Sequence, residues 1–374
     1  MMDIVVIKIG SSIITTEAGL EEEKIAHIAR DVSNIKDKGF APVLVSSGAV
    51  SAGRVKLGLK GKLQGINLKQ AAAAIGQSSL VWAYERAFSH RFNKQVAQVL
   101  LTRNVFSNRQ RYINVRNTLL CLLDLNVIPI INENDTVSFD EIKFGDNDRL
   151  ASLVAVSLEA KHLIILSDVG GLYTANPKKL PDAKLISKVD DINQEVLSLA
   201  KGAGSIFGTG GMYSKLIAAR IATDHGVAVQ IVNGRKDGIL NDVFDGRSEG
   251  TYFTPKDKRY GQRKGWIASG IHARGALLID EGAVQAVVNK CKSLLSSGIK
   301  GIEGNFERGD AVYVVCPDGN HAAKGLINYS SREMLKIMGK KSSDIEDILG
   351  YKYSDEVIHR DNMIVLVEKT KDTD

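Results

Sequence analysis

Residues 4–12 read Ile-Val-Val-Ile-Lys-Ile-Gly-Ser-Ser. A short, continuous apolar run of this kind fits a strand buried on both faces, as in a parallel sheet. Lys8 interrupts the run and Gly10-Ser11-Ser12 ends it. An ammonium at the end of a buried strand is costly unless something pairs with it. Gly10 has no side chain, so an anion can approach the backbone beside it, and Lys8 reads as a phosphate-facing cation. A strand-edge lysine reaching water is the plainer alternative.

The same pattern recurs outward from this stretch. Pro42-Val-Leu-Val45, Val96 to Leu101, Val127 to Ile131, His162 to Leu166 and Val227 to Val232 read as strands. Residues 21–38, 67–92, 109–126, 146–160 and 211–226 read as helices. Strands alternating with helices imply βαβ units and an α/β fold, a three-layer αβα sandwich around a mainly parallel sheet. Right-handed crossovers then gather the strand-to-helix loops at the C-terminal edge of the sheet, where a ligand site is expected. After about residue 250 the pattern changes. A mixed polar stretch with a Lys/Arg cluster leads into short strands at Ala276 to Ile279, Gly301-Ile302, Ala311 to Val315 and Ala322 to Tyr329. The expected division is a domain over 1–255, a linker over 256–272 and a small β-barrel-like domain over 273–374.

Composition bounds the rest. The 374 residues are 44% hydrophobic and 25% charged, the proportions of a globular protein. A net charge of +6, spread along the chain without a basic run, reads first as an ordinary solvated surface; it could help attract an anionic substrate and argues only weakly for nucleic acid. Cys121, Cys291 and Cys316 form no CxxC pair, and the histidines show no ligand spacing. Neither a disulfide framework nor a metal site is expected, and a reducing, cytoplasmic setting fits. No basic leader precedes the first strand, and no apolar run is long enough for a membrane span.

Four loops carry the polar residues. Lys8 to Ser12 is the first. The second, Ser46 to Gly53, is built of small residues that leave backbone N–H groups open to an anion at a helix start. The third pairs Asn132-Glu-Asn-Asp135 with Gly145-Asp-Asn-Asp148. Asp at a helix start also caps, yet capping does not explain so many amides and acids in two nearby loops. Together they suit an amino-acid ligand, the acids pairing its ammonium and the amides serving its carboxylates. The fourth, Gly208-Thr-Gly-Gly-Met-Tyr-Ser-Lys215, sends three glycines into a helix with Lys215 in its first turn. Free N–H groups, the positive helix end and an ammonium converge there as a nucleotide phosphate site. Neither GxxxxGK[ST] nor a GxGxxG after the first strand occurs. Ser167-Asp168 ends another strand and is placed to meet the nucleotide's sugar or base.

These loops, in this order, resemble the amino acid kinase family, and within it the members that phosphorylate glutamate. The resemblance rests on Val6 to Ser12, Val45 to Val50, Leu101-Thr-Arg103, Ile131 to Thr136, Phe144 to Asp148, Gly170 to Pro177 and Gly208 to Met212. The C-terminal part resembles a PUA domain, through Gly275 to Asp280, Asn305 to Asp310 and His359-Arg-Asp361. The resemblance implies that Lys8 and Lys215 stabilise the transferring phosphoryl group and that Asp148 orients them. It implies that Ser47, Asp135 and Asn147 bind glutamate, with backbone help from the loop of Ser47, Gly48 and Ala49 and from Asn134. ATP would lie against Lys8, Gly10, Ser167, Asp168, Thr209, Gly210, Gly211, Met212, Tyr213, Ser214 and Lys215, with Mg2+. Ser214 stands where the commoner loop carries Thr, and it keeps the hydroxyl. Also implied are a place in proline biosynthesis, feedback inhibition by proline, a downstream glutamate 5-phosphate reductase and a homo-oligomer. The alternatives are a sister kinase acting on aspartate, acetylglutamate, carbamate or UMP, and an RNA-binding role for the PUA part. Against the RNA role, the C-terminal sequence shows no aromatic stacking set.

Overall fold

The computed structural model describes residues 2–61, 63–102, 105–106, 109–137, 146–177, 180, 182–201, 211–247, 249–256 and 273–366. Of the expectations above, those for Arg103, Phe144, Gly145, Gly208, Thr209, Gly210 and linker residues 257–272 fall outside these. The chain divides into two compact units, Met1–Arg259 and Tyr260–Asp374.

The first unit holds the strands β1 (Asp3–Ile9), β2 (Thr15–Thr16), β3 (Gly19–Leu20), β4 (Phe40–Ser46) and β5 (Val96–Leu101). It continues with β6 (Ile128–Glu133), β7 (His162–Ser167), β8 (Lys188–Val189), β9 (Ala228–Asn233) and β10 (Thr251–Phe253). Its helices are α1 (Ser11–Ile14), α2 (Glu22–Asp37), α3 (Ala49–Lys56), α4 (Ile66–Phe92), α5 (Arg109–Asp124), α6 (Asp146–Ser157), α7 (Gln194–Lys201), α8 (Met212–Thr223) and α9 (Ile239–Phe244). Among the described residues an eight-stranded sheet runs in the order β5-β6-β4-β1-β7-β9-β10-β8. Neighbours from β5 to β9 are parallel, β10 is antiparallel to β9, and β8 is parallel to β10. β2 and β3 form a separate hairpin.

The two faces of β1 explain the continuous apolar run at its origin. Val5, Ile7 and Ile9 pack with Ile25, Ile28 and Val32 of α2 and Leu80 and Tyr84 of α4. Ile4 and Val6 pack on the other side, with Leu150 and Val154 of α6 and Leu216 of α8. Successive strand side chains alternate faces, so Lys8 falls on the face of Val6, towards α6 and α8. In α2 the apolar residues recur at helical spacing, and Glu22 and Glu23 favour its positive N-terminal end.

The Ala-rich α4 lies against α3 with almost no space between the backbones. A Cβ on Gly53 would sit 1.8 Å from the Ala72 carbonyl oxygen, and one on Gly76 would sit 1.8 Å from that of Ala49. Only glycine permits this approach, which holds the turn before α3 in place. Gly48 caps that turn at φ +109°, a conformation that suits glycine.

The second unit contains β11 (Ala273–Ile279), β12 (Ile299–Gly304), β13 (Ala311–Val315), β14 (His321–Leu326) and β15 (Met363–Val365). Among the described residues they form one sheet, β12-β11-β13-β14-β15, with β11 and β13 parallel and the other pairs antiparallel. Leu277, Val287, Val312, Val314, Ile337 and Ile358 build its core. The strand expected through Tyr329 stops at Leu326. Tyr329 is instead fully buried, and its hydroxyl donates to the Ser354 carbonyl at 2.5 Å. Aromatic side chains do gather here, contrary to the sequence reading. The Tyr351 and Tyr353 rings are 4.9 Å apart, Arg308 lies 3.8 Å over Tyr353, and Tyr313 stacks on His321 at 4.1 Å. Arg308 lies far from Tyr351 and Tyr353 in the sequence, which hid its place in that cluster. The Tyr351 hydroxyl is donated to Glu333, so that cluster also ties the unit together.

Candidate functional site

The parallel register brings the C-terminal ends of the central strands level. Ile9 of β1 lies beside Ser46 of β4 and Leu166 of β7, and Ser167 of β7 lies beside Asn233 of β9. At this edge Lys8, Asp148 and Lys215 converge from β1, α6 and α8. Lys8 Nζ is 2.6 Å from Asp148 Oδ1, and Lys215 Nζ is 3.2 Å from Asp148 Oδ2. All three are buried, with Asp148 fully enclosed. The Ser214 hydroxyl completes the cluster, lying 2.7 Å from Asp148 Oδ2.

Two ammonium groups thus share one carboxylate. Burial alone would raise the pKa of Asp148, but the charges of Lys8 and Lys215 and the hydrogen bonds from Lys8 and Ser214 outweigh it. The carboxyl therefore sits below its ordinary range. For Lys8, burial is the largest influence and lowers its pKa, with Asp148 opposing it. Unpartnered, either lysine would be an expensive buried charge.

Asn147 precedes Asp148 and belongs to a second cluster. Its Nδ2 donates to the Ser46 carbonyl at 2.9 Å, to Ser47 Oγ at 2.8 Å and to Asn132 Oδ1 at 3.0 Å. Consecutive residues at the start of α6 therefore serve an amide cluster and a cation cluster side by side. Its Oδ1 is buried with no hydrogen-bond partner among the described residues. An atom of that kind in a native fold calls for an explanation, and a bound ligand is one.

The other sequence-derived residues are arranged around these two clusters. Gly10 has ordinary extended dihedrals, so its value is space: an added Cβ would lie 3.6 Å from Lys8 Nζ. Gly48 and Ala49 open α3, while the Ser47 N–H is donated to the Ile9 carbonyl. The Asn134 N–H is likewise used by the Leu101 carbonyl, so backbone help from Asn134 would come through its carbonyl. Its side-chain oxygen accepts from Thr136. Asp135 follows β6, and burial pushes its pKa up to about 6. Ser167 is buried and Asp168 exposed at the end of β7. Gly211 precedes α8, Met212 packs against the core, and Tyr213 is exposed.

Gln77 and Tyr84 escaped the sequence reading, and Asn132 and Glu133 are placed differently from it. Asn132 and Glu133 are not loop residues but the last two of β6, both buried. Gln77 of α4 accepts from Asn132 Nδ2 at 2.7 Å. Tyr84, two turns along the same helix, lies 2.9 Å through its hydroxyl from Ser46 Oγ and is fully buried. Among the described residues, no group of three or more His, Cys, Asp or Glu side chains is placed to hold a metal, and no helix is long and apolar enough to cross a membrane.

Residues 3–233 match the model of the amino acid kinase family, and residues 275–349 match that of the PUA domain. The glutamate 5-kinase of Syntrophotalea carbinolica is 50% identical over 96% of each chain. That of Geobacter sulfurreducens is 49% identical over 97% of each. Among solved structures, the carbamate kinase of Giardia lamblia bound to AMP-PNP covers 68% of this chain and 99% of its own, with a TM-score of 0.51 at 18% identity. At that identity the likeness is one of fold.

Proposed function

The chain belongs to the amino acid kinase family, and on that premise we propose that it transfers the γ-phosphoryl group of ATP to the side-chain carboxylate of L-glutamate, giving glutamate 5-phosphate for proline biosynthesis. The observation that carries this reading is the adjacency of Asn147 and Asp148, which sets an amide-lined acceptor pocket beside a carboxylate holding two lysines. Near-full-length likeness to glutamate 5-kinases supports glutamate as the acceptor.

The chemistry fits such a site. A glutamate side chain has a pKa of about 4.3 and is already ionised at neutral pH, so no general base is required. The obstacle is bringing an anion onto a polyphosphate. Lys8 and Lys215 reduce that repulsion and follow the charge as it spreads over the transferring oxygens. Asp148 keeps the two ammonium groups in register. Transfer is in line, with no phosphoenzyme, since no nucleophilic side chain is needed between the anions. Ser47, Gly48, Ala49, Asp135 and Asn147 would hold glutamate. Gly10, Ser167, Asp168 and residues 209–215 would hold ATP. Mg2+ would arrive with the nucleotide, bound chiefly by phosphate oxygens, because the described residues offer it no side-chain cage. When bound, it neutralises part of the phosphate charge.

A wider setting goes with this reading. Glutamate 5-phosphate is an acyl phosphate that cyclises onto its own amine unless a reductase consumes it. Proline as feedback inhibitor, a homo-oligomeric state and a cytoplasmic location come from the family resemblance.

Asp135 gives a pH signature. An ionised Asp135 attracts the substrate ammonium, and its pKa near 6 means that acidification removes the charge. The KM for glutamate should climb as pH falls through about 6, while the KM for ATP changes little. Asp135→Asn should give a raised KM that no longer responds to pH in that window. A wild-type glutamate KM that stays flat from neutrality to pH 5 would remove Asp135 from the acceptor site. The acceptor itself is tested by ATP consumption with glutamate, aspartate, N-acetylglutamate, carbamate and UMP. Glutamate should have the highest kcat/KM, and a higher value with another acceptor would assign the chain to a sister activity.

A further inference from the structure

We infer that Gln77 is a positioning residue for the acceptor site, accepting the last hydrogen bond of two linked amides and so holding Asn132, and through it Asn147, in place. This role presupposes that Ser47 and Asn147 bind glutamate, as proposed above.

The polarity of the chain of amides is fixed from its far end. The Ser46 carbonyl can only accept, so the Asn147 atom 2.9 Å from it must be the NH2 group. Asn132 must then offer its oxygen to Asn147 Nδ2, at 3.0 Å. The backbone N–H of Glu133, which can only donate, lies 2.9 Å from that same oxygen. Asn132 therefore turns its own NH2 towards α4, and residue 77 must be an acceptor. Gln77 Oε1, 2.7 Å away, meets that demand. Neither assignment of amide nitrogen and oxygen is free to reverse without setting two donors or two acceptors against each other.

The consequence appears at the other end. With the two N–H bonds of its NH2 shared among three acceptors, Asn147 keeps a buried oxygen that has no partner among the described residues. A donor from the substrate would complete it. Of the groups of glutamate at neutral pH, only the α-ammonium donates. Gln77 thus acts on specificity, favouring an acceptor that carries an ammonium over the same dicarboxylate without one. The platform is rigid: Gly76 is locked against α3, and Tyr84 braces Ser46 from the same helix.

The test compares full-length wild type, Gln77→Met, Gln77→Lys and Gln77→Glu, with glutamate and glutarate as acceptors. Met removes the acceptor and Lys replaces it with donors. For both, the KM for glutamate should rise about tenfold, with kcat and the KM for ATP held within about twofold. The KM for glutarate should not follow, so preference for glutamate over glutarate falls by about the same tenfold factor. Glu keeps the acceptor, and its glutamate KM should stay within about threefold of wild type. The role is overturned if Met and Lys leave the glutamate KM unchanged, if Glu is as impaired as they are, or if the KM values for glutamate, glutarate and ATP rise together. Wild-type protein that turns over ATP with none of its activity dependent on glutamate would instead overturn the acceptor reading, and this role with it.

Discussion

Replacing Lys215 with alanine is expected to lower kcat roughly 10³-fold while the KM for glutamate stays within about threefold. The ammonium of Lys215 is buried, held by Asp148 at the first turn of α8, and backed by the positive end of that helix. Its contribution grows as the phosphoryl group leaves the nucleotide, so it is felt in the transition state more than in the ground state. The acceptor pocket draws on β4, β6 and the start of α6 and does not include this side chain. Steady-state kinetics with both substrates varied will show it. Near-normal kcat would mean that phosphoryl transfer does not run past Lys215. Loss of glutamate affinity in proportion to the loss of rate would mean that the lysine shapes the acceptor pocket.

The second large effect is expected at Asp148. It is fully buried, and its oxygens meet Lys8, Lys215 and the Ser214 hydroxyl. Alanine there leaves two ammonium groups in a low-dielectric pocket without their counter-ion. Removing one partner from a buried ion pair costs about 3–5 kcal/mol. Activity should fall with stability, because neither lysine is held in register. The stability deficit has a sign in pH. Lys8 is already depressed by burial, and without Asp148 it is depressed further. The mutant should therefore recover part of its stability as pH rises and Lys8 sheds its proton. In wild type the alkaline gain should be smaller, because Asp148 opposes the depression of Lys8, and the stability that the low pKa of Asp148 supplies is lost in acid, as pH falls through that depressed pKa. Urea unfolding at several pH values checks both directions. A mutant as stable as wild type at neutral pH would show that Asp148 does not anchor the lysines.

Much of this framework was legible in residues 4–12 and the runs like it. Strands buried on both faces announce themselves, since they are apolar throughout, and the lysine that breaks β1 marked the site. Short elements did not announce themselves. β8 has two residues and β10 three, too few for a period to register. β6 was read as ending at Ile131, because Asn132 and Glu133 look like loop residues until the partners of their amides are known. Gln77 illustrates the same limit more sharply. A lone amide in an Ala-rich helix has no local signature, and its meaning depends on an asparagine 55 positions away. The packing of Arg308 over Tyr353 in the second unit was hidden in the same way, by separation along the chain. The glycines at 53 and 76 carry ordinary helical sequence context, and only the crossing of α3 and α4 shows why no side chain fits there.

The central claim is a phosphoryl group transferred to a carboxylate, and hydroxylamine tests it directly by trapping an acyl phosphate as a hydroxamate. With ATP, Mg2+ and glutamate, the protein should form γ-glutamyl hydroxamate in step with ADP, and omission of glutamate or ATP should abolish it. ADP released with glutamate but without hydroxamate, or hydroxamate formed faster from aspartate or N-acetylglutamate, would contradict the account.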